Sequence, residues 1–236
     1  MIFRITHTTR YDYSQPVFLE PHQLRLRPRS DGTQRVNQFA LRIEPEPVSL
    51  TEALDAEGNA LTNVHFAGTT QQLLIEMQCE VETLRTNPFD FIPANGRTVE
   101  FLTGFARNIH ETYQTELREF GEPHPVAVTE QRRAGTCRDL AVLFIESCRE
   151  EGWPARFVSG YHVTANSPHH LHAWAEVLVP GGGWRGFDPT EGLAVGDRHV
   201  VVAAASKPRD AAPVIGAFRG TGAQSQMQVA IQLTAA

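Results

Sequence analysis

Three residues in separate stretches of the chain are of the types that nucleophilic cleavage of an amide needs. They are Cys137 in "AGTCRDLAVLF", His172 in "HHLHAWAEV" and Asp188 in "GWRGFDPTEG". A thiol attacks as thiolate. An imidazole can take its proton and later hand it to a leaving amine, while a carboxylate holds the ring in one tautomer and steadies the imidazolium. The backbone N–H of Cys137 is one candidate donor to the developing oxyanion. A competing reading makes Cys137 a small buried hydrophobe, the usual fate of a free cysteine, and the chain an inactive binding or scaffold protein. A third reading makes the thiol a redox sensor that does not depend on His172.

These residues need elements to hold them. Thr136 is placed to cap a helix starting at Cys137, with Asp139 as the acid of a short capping box, and Gly152 and Pro154 stop it. Residues 137–150 are apolar on nearly every face until the last turns, as suits a helix inside a domain. A thiol in the first turn meets free N–H groups and the positive end of the helix dipole, both of which favour thiolate. Cys148, roughly three turns further along, reads as core.

His172 opens a strand that runs to Val179, and Trp184–Phe187 returns after "PGGG". A loop of Pro180–Gly182 sets Val179 against Gly183 and Asp188 against Trp174, which makes His172 the same-face diagonal neighbour of Asp188. One more loop residue sends Asp188 to the opposite face. Both registers stay open at this level. Trp174 either shields the His172–Asp188 contact or simply packs, and Arg138 either supports a thiolate or covers the helix end.

The first part of the chain alternates apolar and polar residues over Ile2–Thr9, Gln23–Pro28, Val36–Ile43 and Gln72–Thr83, with "DAEGN" as a hairpin tip. It predicts antiparallel β structure with no chemistry of its own. After the linker "TNPFDFIPANG", Phe101, Leu102, Phe105 and Ile109 fall at helical spacing. The tail, with "HVVVAAAS" and "QMQVAIQL", returns to strand patterning.

With 236 residues, 41% of them hydrophobic, the chain can bury a substantial core. A formal charge of −6 without a Lys/Arg cluster argues against nucleic-acid and membrane partners. The N-terminal stretch alternates instead of forming an apolar run, and no segment reaches membrane-span length, so a cytoplasmic location is expected. The three cysteines form no C-x-x-C pair, and His162, His169, His170 and His172 fit no zinc spacing. Neither a metal nor a cofactor is expected.

The blocks "RRAGTCRDLAVLFIESCREEGWPARFVSGYH" and "HAWAEVLVPGGGWRGFDPTEG" resemble, in order and spacing, those of the bacterial transglutaminase-like proteins within the papain-like cysteine-hydrolase group. "ITHTTRYDYSQPV" with "LRLRPR", and "DAAPVIGAFRG", are similar to that family's N-terminal region and tail. The resemblance implies an α+β fold with a β domain over 1–90, a papain-like core over 91–198 in which a central helix packs on an antiparallel sheet, and a β tail over 199–236. It implies Cys137 as nucleophile, His172 as base and acid, Asp188 as orienter, and a peptide or protein substrate whose thioester is resolved by water or by an amine. Thr136 and Arg138 stand where the family often has Val and Gln, a difference that bears on the cleft wall.

Overall fold

The structure, a computed structural model, describes residues 1–91, 96–163 and 170–235. His169 and part of the aromatic linker lie outside the described residues. The chain forms two units and passes between them more than once. Residues 1–84, 162–171 and 212–236 make one, and residues 85–161 and 172–211 make the other.

In the first unit the alternating runs become strands. β1 (Ile2–Leu19) buries Phe3, Ile5, His7 and Thr9 on one face, the two-residue period of a sheet with one covered side. Gln23–Pro28 is a strand only within β2 (His22–Leu24), followed by β3 (Gln34–Glu44), β4 (Ser49–Leu54), β5 (Ala60–His65) and β6 (Thr70–Thr83). β1 pairs antiparallel with β6, Ile5 opposite Cys79, and β6 pairs on its other side with β3. The C-terminal strand Ser225–Ala235 pairs along β1. A second sheet runs Val214–Ile215, β2, β5, β4. Its β4–β5 hairpin closes at "DAEGN", where Asp55 Oδ1 accepts the N–H groups of Glu57 and Asn59 and Gly58 takes φ +79°.

The second unit holds α1 (Gly96–Thr112), α2 (Val126–Arg132) and α3 (Cys137–Glu150), then β7 (Ala155–His162), β8 (Leu171–Val179), β9 (Gly183–Asp188) and β10 (His199–Ala205). Its sheet has the order Leu193–Ala194, β9, β8, β7, β10. Leu140, Phe144 and Cys148 of α3 share a buried cluster with Ala173, Ala175 and Val177 of β8. Stacked rings continue it from Phe105 on α1 through Phe144 to Phe187 on β9. Because side chains alternate along β8, Trp174 falls on the other face, in a small cluster with Val158 and Ala204.

Taken whole, the fold is mostly antiparallel β with few helices, which corrects the α+β expectation. The cause is pairing beyond the expected strands: β1 and β6 run longer than their patterns suggested, and residues 199–236 are strands for much of their length. Those residues, expected as one tail, are also divided. β10 pairs beside β7 in the second unit, and the segment from Ala212 belongs to the first.

Candidate active site

The start of α3 is fastened by one carboxylate. Thr136 caps the helix, and its own N–H and hydroxyl donate to Asp139 Oδ2 at 2.7 and 2.8 Å, the reciprocal capping box. Asp139 also accepts from the backbone N–H of His124 at 2.6 Å and from both terminal nitrogens of Arg118 at 3.0 and 3.2 Å. Burial alone would raise its pKa, but these donors, the His124 and Thr136 N–H groups foremost, bring it down to about 2. Gly135 fits this packing because it lacks a side chain: a Cβ there would lie 2.8 Å from Asp139 Cβ. Asp139 is thus a cap, and the Arg118 link, 21 residues away in sequence, is one the sequence did not announce.

Cys137 is the first residue of α3 and partly exposed. Burial pushes its thiol up, yet a hydrogen bond with His172, that ring's charge, the Arg138 guanidinium and the N–H of Ala173 together bring it below the ordinary thiol value. Cys79 and Cys148, buried without such partners, are pushed up to about 12. Arg138 also donates to the Arg118 carbonyl at 2.6 Å.

The β8–β9 register pairs Val179 with Gly183 and continues to Ala175 opposite Phe187, which is the register of the three-residue loop. It brings His172 Nε2 to 2.7 Å from Asp188 Oδ2. Asp188 is wholly buried, and its Oδ1 accepts the N–H groups of Thr190 at 2.9 Å and Glu191 at 3.3 Å. Burial opposes its charge, but the His172 ring and the other donors hold the carboxylate far below its usual range. For His172 burial lowers the pKa, while Asp188 and Cys137 raise it well above the usual value. A carboxylate only accepts, so Nε2 carries the proton and Nδ1 is the nitrogen that serves the thiol. A lowered thiol and a raised imidazole are shifts in the directions that favour a thiolate–imidazolium pair.

Trp174 is fully buried and packs with its ring 6.0 Å from that of His172 at an interplanar angle of 30°. His199 was not anticipated. The first residue of β10, it places Nε2 3.0 Å from the same Asp188 Oδ2. Strands lie about 4.8 Å apart, so in a flat sheet β9 and β10, three steps apart, would be separated by roughly 14 Å. The sheet must therefore curl to close this contact, and Trp174 fills the space within. The only signal in the sequence was a histidine at the head of "HVVVAAA".

Donor atoms of His172, Asp188 and His199 lie within 4.8 Å of one another, and these are residue types that can bind metal. As arranged, both imidazole Nε2 atoms are committed to Asp188 Oδ2.

Residues 3–82 match the bacterial transglutaminase-like N-terminal region, and residues 97–189 match the transglutaminase-like superfamily. An uncharacterized protein of Mycobacterium leprae is 24% identical, with 98% of each chain covered. An uncharacterized protein of Mycobacterium tuberculosis is 25% identical over 98% of this chain and 92% of its own. Among solved structures, a "Putative Cysteine Protease" from Cytophaga hutchinsonii superposes with a TM-score of 0.71 at 22% identity, covering 100% of this chain and 91% of that one. That likeness establishes a shared fold.

Proposed function

Because this chain belongs to the bacterial transglutaminase-like family, with that family's N-terminal region followed by its core, we propose that it cleaves or transfers amide groups of peptides or proteins through a thioester on Cys137. The observation that carries this reading is the continuous chain of contacts from the Cys137 thiol through His172 to Asp188 at the start of α3.

In the resting pair His172 holds the thiol proton. The Cys137 thiolate attacks the amide carbon, forming a C–S bond and an oxyanion. The Cys137 N–H, a first-turn donor of the helix, steadies that charge in this reading. The His172 proton passes to the amide nitrogen as the C–N bond breaks and the amine leaves. Neutral His172 then takes a proton from the incoming nucleophile, whose attack breaks the C–S bond; the thiolate re-forms and the imidazolium is restored. Water as nucleophile gives hydrolysis, and an amine gives transfer. Asp188 keeps the ring's tautomer and orientation throughout.

The test is incubation with a glutamine-containing peptide and a labelled amine, with C137A as control. Label incorporation identifies a transferase and carboxylate product a hydrolase, both lost in C137A. If neither forms, and iodoacetamide modifies Cys137 at pH 6.5 no faster than an ordinary thiol of pKa near 8.5, the reading fails and a binding role takes its place.

A further inference from the structure

Asp188 is held by more than the ring it orients. Two backbone N–H groups fix Oδ1, and two imidazoles share Oδ2, His172 at 2.7 Å and His199 at 3.0 Å. His199 is buried, its ring edge-on to Trp174 at 5.1 Å and 73°. Trp174 thus touches both imidazoles that meet on one oxygen.

A buried imidazole costs desolvation that a hydrocarbon ring of similar shape would avoid. What this one adds is a directed donor, because a carboxylate can only accept, which obliges His199 Nε2 to carry hydrogen. The donor matters because the terminal torsion of an aspartate is soft. Donors on Oδ1 alone leave Oδ2 free to swing about that torsion. A second donor on Oδ2, approaching from β10, fixes the plane of the carboxylate and with it the ring of His172.

We propose that His199 is a positioning residue of the Cys137 site, acting through Asp188 to hold His172 in the orientation that keeps the thiol activated. This rests on the catalytic reading of Cys137 given above. It extends the relay by one group, drawn from a strand that follows the Asp188 block.

The test uses the full chain and the alkylation rate of Cys137 by iodoacetamide at pH 6.5, together with the near-ultraviolet thiolate absorbance and the melting temperature. His199→Phe keeps a ring and loses the donor. His199→Gln places an amide N–H near the position of Nε2, whereas the shorter His199→Asn cannot reach Oδ2. The expected result is alkylation about tenfold slower in H199F and H199N, the scale of a lost hydrogen bond to a charged group, with most of the rate and absorbance recovered in H199Q. If H199F does not fold, the H199Q and H199N pair, similar in polarity, decides the matter. Rates in all variants equal to wild type overturn the proposal. So does loss in H199Q matching that in H199N, which would make His199 merely structural. A wild-type Cys137 that reacts as an ordinary thiol sinks the catalytic reading itself, whereas a fast wild type with insensitive variants removes only the role of His199.

Discussion

His172 Nε2 meets Asp188 Oδ2 at 2.7 Å, with the carboxylate wholly buried. This bond obliges the ring to present Nδ1 to Cys137. Asp188→Asn keeps the shape but turns an acceptor into an amide that can donate, which favours the wrong tautomer. Turnover of the glutamine peptide by the folded variant is expected to fall on the order of a thousandfold or more, and the melting temperature at pH 7 falls with it, because the fold favours the wild-type carboxylate. A D188N rate within a few fold of wild type would remove Asp188 from the mechanism.

The opposed shifts of Cys137 and His172 set a pH profile. The thiol is lowered and the imidazole raised, and both shifts favour the charged pair over the neutral one. Iodoacetamide should modify Cys137 at pH 6.5 at least about tenfold faster than an ordinary thiol, of which only about 1% is ionised there. The rate should fall only on the acid side, as the thiolate is protonated. The imidazolium is favoured in the folded state over the unfolded one. Its stabilisation is therefore complete below about pH 6.5 and is lost as pH rises through the raised folded value. Melting curves of wild type and His172→Gln across that range measure it.

Asp139 gives the opposite sign. Its folded pKa is about 2 against an ordinary 3.8, so its contribution is present above pH 4 and fades as pH falls toward 2. Asp139→Asn is expected to cost about 2 kcal/mol at pH 7, with the gap to wild type closing in acid. Denaturant melts at pH 7 and pH 2.5 check this; a gap independent of pH would assign the loss to packing instead.

Gly160 on β7 lies where Trp174 and β10 crowd together. A Cβ there would collide with the Val200 carbonyl oxygen and come within 2.6 Å of the Trp174 ring. Gly160→Ala is expected to destabilise by about 3 kcal/mol and to slow Cys137 alkylation, because the displaced Trp174 sits against both imidazoles. A stable G160A with a normal alkylation rate would show that the curl tolerates change.

The chain around Cys137 is legible from local sequence. Thr136, Asp139 and Gly152 bound a helix whose first residue is the thiol, because caps act over three or four residues. The loop "PGGG" allowed two registers, and the pairing of Val179 with Gly183 selects the one that lets His172 reach Asp188. Strand lengths are not legible in the same way, since pairing extends a strand past the point where its alternation fades, and the fold is mostly β as a result.

The sequence by itself determined the thiol's place at a helix start, the order of the three chemical groups and the strands that carry two of them. Tertiary structure alone decided that Arg118 fastens Asp139 and that His199 joins Asp188. Both contacts join side chains from segments separated by loops or other elements, and the second depends on the curl of a whole sheet. No local pattern encodes such a distance. It follows from how Trp174, Gly160 and the neighbouring strands pack together.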